Sequence, residues 1–301
     1  MDLANLKNLR GTLSQNAPIG QQSWFRCGGA ADLLFQPADQ KDLQTFLAQW
    51  PEDQPLCVIG GLANTIVRDG GVRGAVVKLG KEFSAITCEG EVMTIGAGAL
   101  NGTAASMAAK NGIGGLEFLS GIPGTIGGAC AMNAGAYGNE ICDILQELHG
   151  VDRQGQEVTL TPADLQMTYR RGNIPQGVII TQAIFKGRQE DTQSVRARLK
   201  EIKDKRNTTQ PIRENTGGST FANPSDDMRA WQVVEKVGGR GLQIGGAAMS
   251  EMHCNFMVNA GGASAQDLEE LGDELIKRAQ DQLNVTLRWE IKRIGDCNEG
   301  Q

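Results

Sequence analysis

Two stretches of this sequence carry small residues at spacings that leave backbone N–H groups bare. The first is Gly60-Gly61-Leu62-Ala63-Asn64-Thr65. The second runs Gly121-Ile122-Pro123-Gly124-Thr125-Ile126-Gly127-Gly128-Ala129 and resumes as Asn133-Ala134-Gly135-Ala136-Tyr137-Gly138. A diphosphate needs several N–H donors converging on it with no Cβ in the way, and the hydroxyls of Thr65 and Thr125 can add donors. Either stretch alone reads more simply as tight turns between strands; two in one domain favour phosphate binding. No Lys-Ser or Lys-Thr follows the glycines, which removes a Walker-type loop. No Gly-x-Gly-x-x-Gly follows the first predicted strand, which removes a Rossmann dinucleotide site.

The elements that must hold these loops follow from hydrophobic periodicity. Ala38 to Trp50 reads as an amphipathic helix with Leu43, Phe46 and Leu47 on one face. Leu56–Ile59 is a short strand running into Gly60-Gly61, and Ala75 to Leu79 and Val92 to Ile95 are further strands bounded by glycine. Asn101 to Asn111 is a small-residue helix closed by Gly112. Leu145 to Asp152, Val158 to Leu160 and Val178 to Phe185 read as strands. Helices are predicted at Ser194 to Arg206, Asp227 to Val237 and Ser264 to Leu283, the last opened by the capping box Ser264/Asp267. Val285 to Ile294 alternates as a closing strand, with Arg288, Glu290 and Lys292 on the face opposite Leu287, Trp289 and Ile291. A polar shift at Gly187 to Ser194 marks a boundary. Residues 1–20 are expected as an extension with little core, 21–190 as the cofactor domain and 194–296 as the substrate domain.

Bulk properties narrow the class. Glycine accounts for 40 of 301 residues, about twice its usual share. The net charge of −6 and the lack of a basic stripe argue against nucleic-acid binding. No apolar run is long enough to span a bilayer, and the polar N-terminus lacks a signal-peptide layout, so a cytoplasmic enzyme is expected. The seven scattered cysteines form no C-x-x-C pair and only two histidines are present. No metal site is therefore expected, and the cysteines read as buried thiols in a reducing compartment.

Six strings occur in order: IGGLANTIVRDGG from Ile59, GIPGTIGGACAMNAGAYG from Gly121, TYRRG from Thr168, GGSTFANP from Gly217, MHCNFMVN from Met252 and WEIKRIG from Trp289. Together they resemble the UDP-N-acetylenolpyruvoylglucosamine reductase (MurB) family over nearly the whole chain. The resemblance implies an α+β protein: an FAD-binding domain of the vanillyl-alcohol-oxidase (PCMH) type plus a C-terminal α+β substrate domain. It implies non-covalent FAD and NADPH-dependent reduction of UDP-N-acetylglucosamine enolpyruvate to UDP-N-acetylmuramate, with small-molecule substrates as the only partners. The short span from Tyr169 to Ser219 resembles the family's shorter form, which lacks an inserted tyrosine-bearing loop.

Residue by residue, the resemblance makes Ser219 the proton donor, Arg170 the cation meeting the substrate carboxylate, and Glu290 the active-site carboxylate. Taken alone, Ser219 is a turn residue after two glycines, Arg170 a surface charge indistinguishable from Arg171, and Glu290 a solvated strand face. Tyr169 and Asn223 are implied substrate contacts. The cofactor set is Gly60, Gly61, Ala63, Asn64, Thr65, Gly121, Ile122, Pro123, Gly124, Thr125, Gly127, Gly128, Ala134 and Gly135, with Arg206 reaching the diphosphate. Two departures stand out: Ala222 where the family usually has lysine, with Lys236 or Arg240 as candidate replacements, and Ala131 where many relatives carry a larger or basic residue. His253 reads as structural. Competing readings are an oxidase of the same fold and a non-catalytic flavin or nucleotide-sugar binder.

Overall fold

A computed structural model describes residues 6–298. The chain divides into two compact units, both discontinuous in sequence. Unit 1 takes the chain up to Ser14, Leu33–Gly61 and Gly74–Lys205. Unit 2 takes Gln15–Asp32, Leu62–Arg73 and the chain from Arg206 onward. The expected linear division at 190/194 does not have this interleaving. Three of the early crossings fall inside ordinary strands, where no turn residues mark them, and the fourth falls after Gly60-Gly61, in a loop that reads equally well as a ligand-binding turn.

In unit 1 an antiparallel sheet is ordered Glu157–Leu160, Leu145–Val151, Ile179–Lys186, Val92–Gly96, Ile86–Glu89. The Asn101–Lys110 helix buries Ala104, Ala105, Ala108 and Ala109. Side chains this small allow a close approach, and the helix joins Met93, Ile95, Phe118, Ile126, Leu148 and Phe185 in one core. In a second sheet Leu56–Ile59 runs parallel to Val72–Lys78, with Leu56 opposite Ala75 and Ile59 opposite Lys78. The Gln40–Gln49 helix supplies the periodic face expected of it: Leu43, Phe46 and Leu47 are buried, and the Phe46 ring stacks on Phe35 at 4.4 Å. Asp39 caps its N-terminus.

The first twenty residues are not an appendage where they are described. Thr12–Ala17 is a strand in the second sheet, and Ile19 is fully buried. That strand is mostly exposed, so its sequence shows no apolar alternation to reveal it. Nearby, buried Asp42 accepts from the backbone N–H groups of Arg10 and Gly11, both at 2.8 Å, and of Ala38 at 2.9 Å.

Unit 2 is built on an antiparallel sheet ordered Asn215–Ser219, Phe256–Asn259, Ala247–Met249, Gln243–Ile244. The Ala265–Leu283 helix packs over it through Leu268, Leu271, Leu275 and Ala279. Ser264 and Asp267 form the expected capping box. Gly272 lies under the Trp289 indole, where a Cβ would come within 2.1 Å of the ring. The predicted closing strand is broken. Arg288–Trp289 pairs antiparallel with Phe221–Ala222, and Lys292–Ile294 pairs parallel with Thr65–Val67. Burial still alternates, with Leu287 and Ile291 inside and Arg288 and Lys292 outside, so the face assignment holds although the ladder does not continue.

Replacing Asp42 by alanine removes three acceptor contacts to backbone N–H groups. Asp42→Ala is expected to lower stability by about 3 kcal/mol. The check is urea unfolding; a midpoint unchanged from the parent protein would show that these contacts contribute nothing.

Candidate active site

The two glycine-rich stretches meet within unit 1. A Cβ on Gly60 would stand 2.5 Å from Thr125 Oγ1, and one on Gly61 would stand 3.2 Å from the Gly124 Cα. A side chain at Gly60 would run into the Thr125 hydroxyl, and one at Gly61 would crowd the Gly124 backbone. The loop is fixed from behind: Asn101 donates its backbone N–H to the Gly124 carbonyl at 3.1 Å and its Nδ2 to the Ile122 carbonyl at 3.2 Å. The Gly127 N–H is committed to the Ala97 carbonyl at 2.8 Å. The N–H groups of Gly60, Gly61, Thr125 and Gly128 donate to no acceptor among the described residues. Beside this seam lies a cleft of about 230 Å³ lined by Gly60, Thr125 and Gly128 and by the apolar residues Val58, Leu79, Ile174, Pro175, Val178 and Ile180. Bare N–H groups in an otherwise aliphatic cleft suit a ligand that joins phosphates to a flat ring, as FAD does.

The rest of the expected cofactor set divides. In unit 1, Gly121 packs against the Tyr137 ring and Pro123 continues the loop held by Asn101. Ala134 gives its N–H to the Ala129 carbonyl and takes one from Ile141, so it has none left to offer a phosphate. Gly135 accepts from Arg170 Nη1 at 3.0 Å. In unit 2, Ala63 is buried. Asn64 donates Nδ2 to the Glu290 carbonyl at 3.2 Å, and Thr65 opens the strand paired with Lys292. Arg206 lies in the Thr192–Thr209 helix with its Nε on Gln210 Oε1 at 3.1 Å.

Unit 2 holds Ser219 and Glu290 close together along the backbone. The register slips between Thr216/Val258 and Ser219/Phe256, a bulge made possible by Gly218 at φ +83°. The bulge shifts the register so that Ser219, the last residue of its strand, pairs opposite Phe256. The next residue is then clamped. Buried Thr220 donates its N–H to the Asn255 carbonyl at 2.7 Å, and its own carbonyl accepts from the Glu290 N–H at 2.8 Å. Asn255 completes the clamp by exchanging both amide hydrogen bonds with Phe221, at 3.1 and 2.9 Å. Asn223 accepts the Ala230 N–H on its Oδ1 at 3.0 Å, at the start of the Ala230–Lys236 helix. Ala222 stands opposite the exposed Arg288 in the ladder. Of the suggested replacements for a lysine there, Arg240 is engaged by Glu235 and by the Glu251 carbonyl.

Tyr169 and Arg170 occupy the tip of a two-residue hairpin in unit 1, closed by reciprocal bonds between Thr168 and Arg171. Arg170 has φ +59°, an unusual conformation for a residue with a side chain, and its guanidinium lies 5.1 Å from the Tyr169 ring centroid. Arg171 is exposed. The two adjacent arginines are thus distinguished by structure, as they are not by sequence.

Known proteins resemble this chain over nearly its whole length. Residues 31–161 match the family model of an FAD binding domain, and residues 210–294 that of the UDP-N-acetylenolpyruvoylglucosamine reductase C-terminal domain. The reductase of Gluconobacter oxydans is 46% identical over 98% of this chain and 96% of its own length. That of Rhodospirillum rubrum is 47% identical over 96% of this chain and 92% of its own. The crystal structure of the Thermus caldophilus enzyme, MurB, superposes with a TM-score of 0.81 at 29% identity, covering 96% of this chain and 100% of that one. The chain belongs to the UDP-N-acetylenolpyruvoylglucosamine reductase family.

Family membership brings with it the α+β class, a PCMH-type FAD-binding domain and an FAD-dependent oxidoreductase. His253 is packed: its ring meets Phe256 at 4.7 Å, Nδ1 accepts from the Asn255 N–H, and burial holds its pKa below the ordinary value. Burial likewise pushes the Cys254 thiol up to about 11 and Cys27 up to about 12, which keeps them protonated and unreactive. The aliphatic wall of the cleft and the polar anchors Asn101, Asn133 and Asn255 escape sequence reasoning. An asparagine inside the apolar run Cys254 to Val258 is the available signal, since buried polar groups are rare and partnered.

Gly60→Val is expected to lose FAD. Filling the seam should cost roughly 1–3 kcal/mol of cofactor binding, about tenfold or more in affinity. Gly102→Ala, at a helix position with nothing within 4 Å, should retain full visible flavin absorbance. Equal flavin content in the two purified variants would remove the seam from the cofactor site.

Proposed function

We propose that this chain reduces the enolpyruvyl ether of UDP-N-acetylglucosamine enolpyruvate to the lactyl ether UDP-N-acetylmuramate, a peptidoglycan precursor, with NADPH as electron donor. Near-full-length kinship to reductases of that name supports the reaction. The observation that carries the site is the bulge before Ser219 and the clamp behind it, which join a hydroxyl and the carboxylate-bearing Glu290 segment through the Thr220 carbonyl.

Bound FAD would supply the hydride-transfer chemistry between nicotinamide and the substrate double bond. The chain supplies the rest. The glycine seam holds the diphosphate through its bare N–H groups. Hydride addition at one alkene carbon leaves negative charge spread over the neighbouring carbon and its carboxylate, and the Arg170 guanidinium meets that charge. Ser219 gives its hydroxyl proton to the carbon beside the carboxylate. Glu290 orients the groups around that hydroxyl, held in place through its backbone by Thr220 and Asn64. Tyr169 and Asn223 contact the substrate, Asn223 through Nδ2 because Oδ1 already serves Ala230. Arg206 adds a cation for the phosphates. NADPH and UDP-sugars are cytoplasmic metabolites, which assigns the reaction to that compartment.

The test is anaerobic. The yellow protein should bleach with NADPH and recover its colour when UDP-N-acetylglucosamine enolpyruvate is added. Recovery only with oxygen would make it an oxidase, and failure to take up FAD would overturn the reading. In Ser219→Ala the NADPH half-reaction should stay within about twofold. Recovery by substrate should slow roughly 10²- to 10⁴-fold, the usual worth of a positioned proton donor. Equal slowing of both steps would remove the proton-donor role.

A further inference from the structure

Asn133 is fully buried and stands at the C-terminus of the Ile126–Met132 helix in the left-handed conformation, φ +42°. Asparagine tolerates that conformation better than most side chains, but glycine would serve the backbone better. The side chain therefore calls for its own reason. Its Nδ2 donates to Glu140 Oε2 at 2.8 Å and to the Thr168 carbonyl at 3.1 Å, while Oδ1 accepts the Cys142 N–H at 2.9 Å. Both amide hydrogens and the carbonyl are in use, and they tie three separate segments together.

One of those segments is the hairpin that presents Tyr169 and Arg170. It is fastened to the stretch 131–135 at three successive points. Gly172 donates its N–H to the Ala131 carbonyl at 3.1 Å, Asn133 takes the Thr168 carbonyl, and Arg170 Nη1 reaches the Gly135 carbonyl at 3.0 Å. Gly172 has no room to shift, since a Cβ there would stand 2.1 Å from the Cys130 carbonyl oxygen. The outer two fasteners use backbone carbonyls that any sequence provides. The central one is a side chain, and it alone also holds Glu140 and Cys142. Stretch 131–135 follows directly on the helix Ile126–Met132 that leads out of the glycine seam, so the arginine is fastened to the same continuous segment.

We infer that Asn133 is a positioning residue for the substrate half of the reaction: it sets the Tyr169–Arg170 hairpin against the glycine-rich segment without touching substrate. This rests on the proposed role of Arg170. Asn133→Asp is nearly isosteric but exchanges the Nδ2 donor for an oxygen, which would face the Glu140 carboxylate and the Thr168 carbonyl, acceptor against acceptor. Asn133→Gly keeps the left-handed backbone and deletes the amide.

The experiment uses the intact flavoprotein and two readouts. Amide hydrogen exchange across residues 168–172 reports the hairpin with no substrate present, and anaerobic half-reactions report the chemistry. In both variants exchange at 168–172 should rise at least tenfold. Bleaching by NADPH should stay within about twofold, and recovery with UDP-N-acetylglucosamine enolpyruvate should slow roughly 10- to 100-fold, the scale of a misplaced catalytic group. Glu140→Gln added to Asn133→Asp returns a donor to the Asn133–Glu140 contact and should recover part of the loss. Unchanged exchange in Asn133→Gly would overturn the inference, as would equal slowing of both half-reactions with loss of flavin. A parent protein that never recovers with substrate would instead sink the functional reading, and the exchange data would still decide whether Asn133 holds the hairpin.

Discussion

Close approach of two loops with no intervening Cβ is the constraint on which the cofactor site depends. At Gly60 and Gly61 the end of one parallel strand comes against Gly124 and Thr125. Any larger residue must push one loop from the other or occupy the space a ligand would take. Glycine in such positions carries a cost in chain entropy, which the surrounding core must offset. The rigid small-residue helix at Asn101–Lys110, with four buried alanines, supplies close packing behind the seam and leaves little freedom for either loop to relax.

Polar side chains buried as fasteners are the second theme. Asp42, Asn133 and Asn255 are each almost wholly removed from solvent, and each satisfies backbone groups that the regular ladders leave open. Where water is excluded, a satisfied network is strong and an incomplete one is costly. That asymmetry favours one geometry over near alternatives. In unit 2 it matters because the bulge at Gly218 breaks the regular register just before Ser219. The Asn255 clamp fixes Thr220 and Phe221, the two residues that follow the hydroxyl.

How much of this was legible beforehand depends on the range of the interaction. Local signals were read well. The Gln40–Gln49 helix shows its face in Leu43, Phe46 and Leu47, and the Ser264/Asp267 capping box marks a helix start to the residue. The glycine-rich stretches point to phosphate chemistry by composition alone. Non-local pairing was not readable. Arg288–Trp289 and Lys292–Ile294 alternate like one strand, yet they join different partners, because alternation records burial and is blind to which neighbour supplies the hydrogen bonds. The apolar wall from Val58 to Ile180 is assembled from segments far apart in sequence, and nothing local marks it. Ser219, Arg170 and Glu290 were reached through family strings rather than through their own chemistry, since each has an ordinary structural reading in isolation.

The parallel pairing of Lys292–Ile294 with Thr65–Val67 has a consequence for synthesis on the ribosome. Asn64 and Glu290, which bond beside that ladder, lie 226 residues apart. The strand at Thr65 must therefore wait for some 226 further residues before its neighbour exists. A nascent polypeptide of this kind keeps an open strand edge over that interval, the condition under which unfinished chains associate with one another. Contacts closed over so long a loop also slow folding relative to local ones. Completion of unit 2, and with it the Asn64–Glu290 bond, therefore waits until the segment around Glu290 has been made.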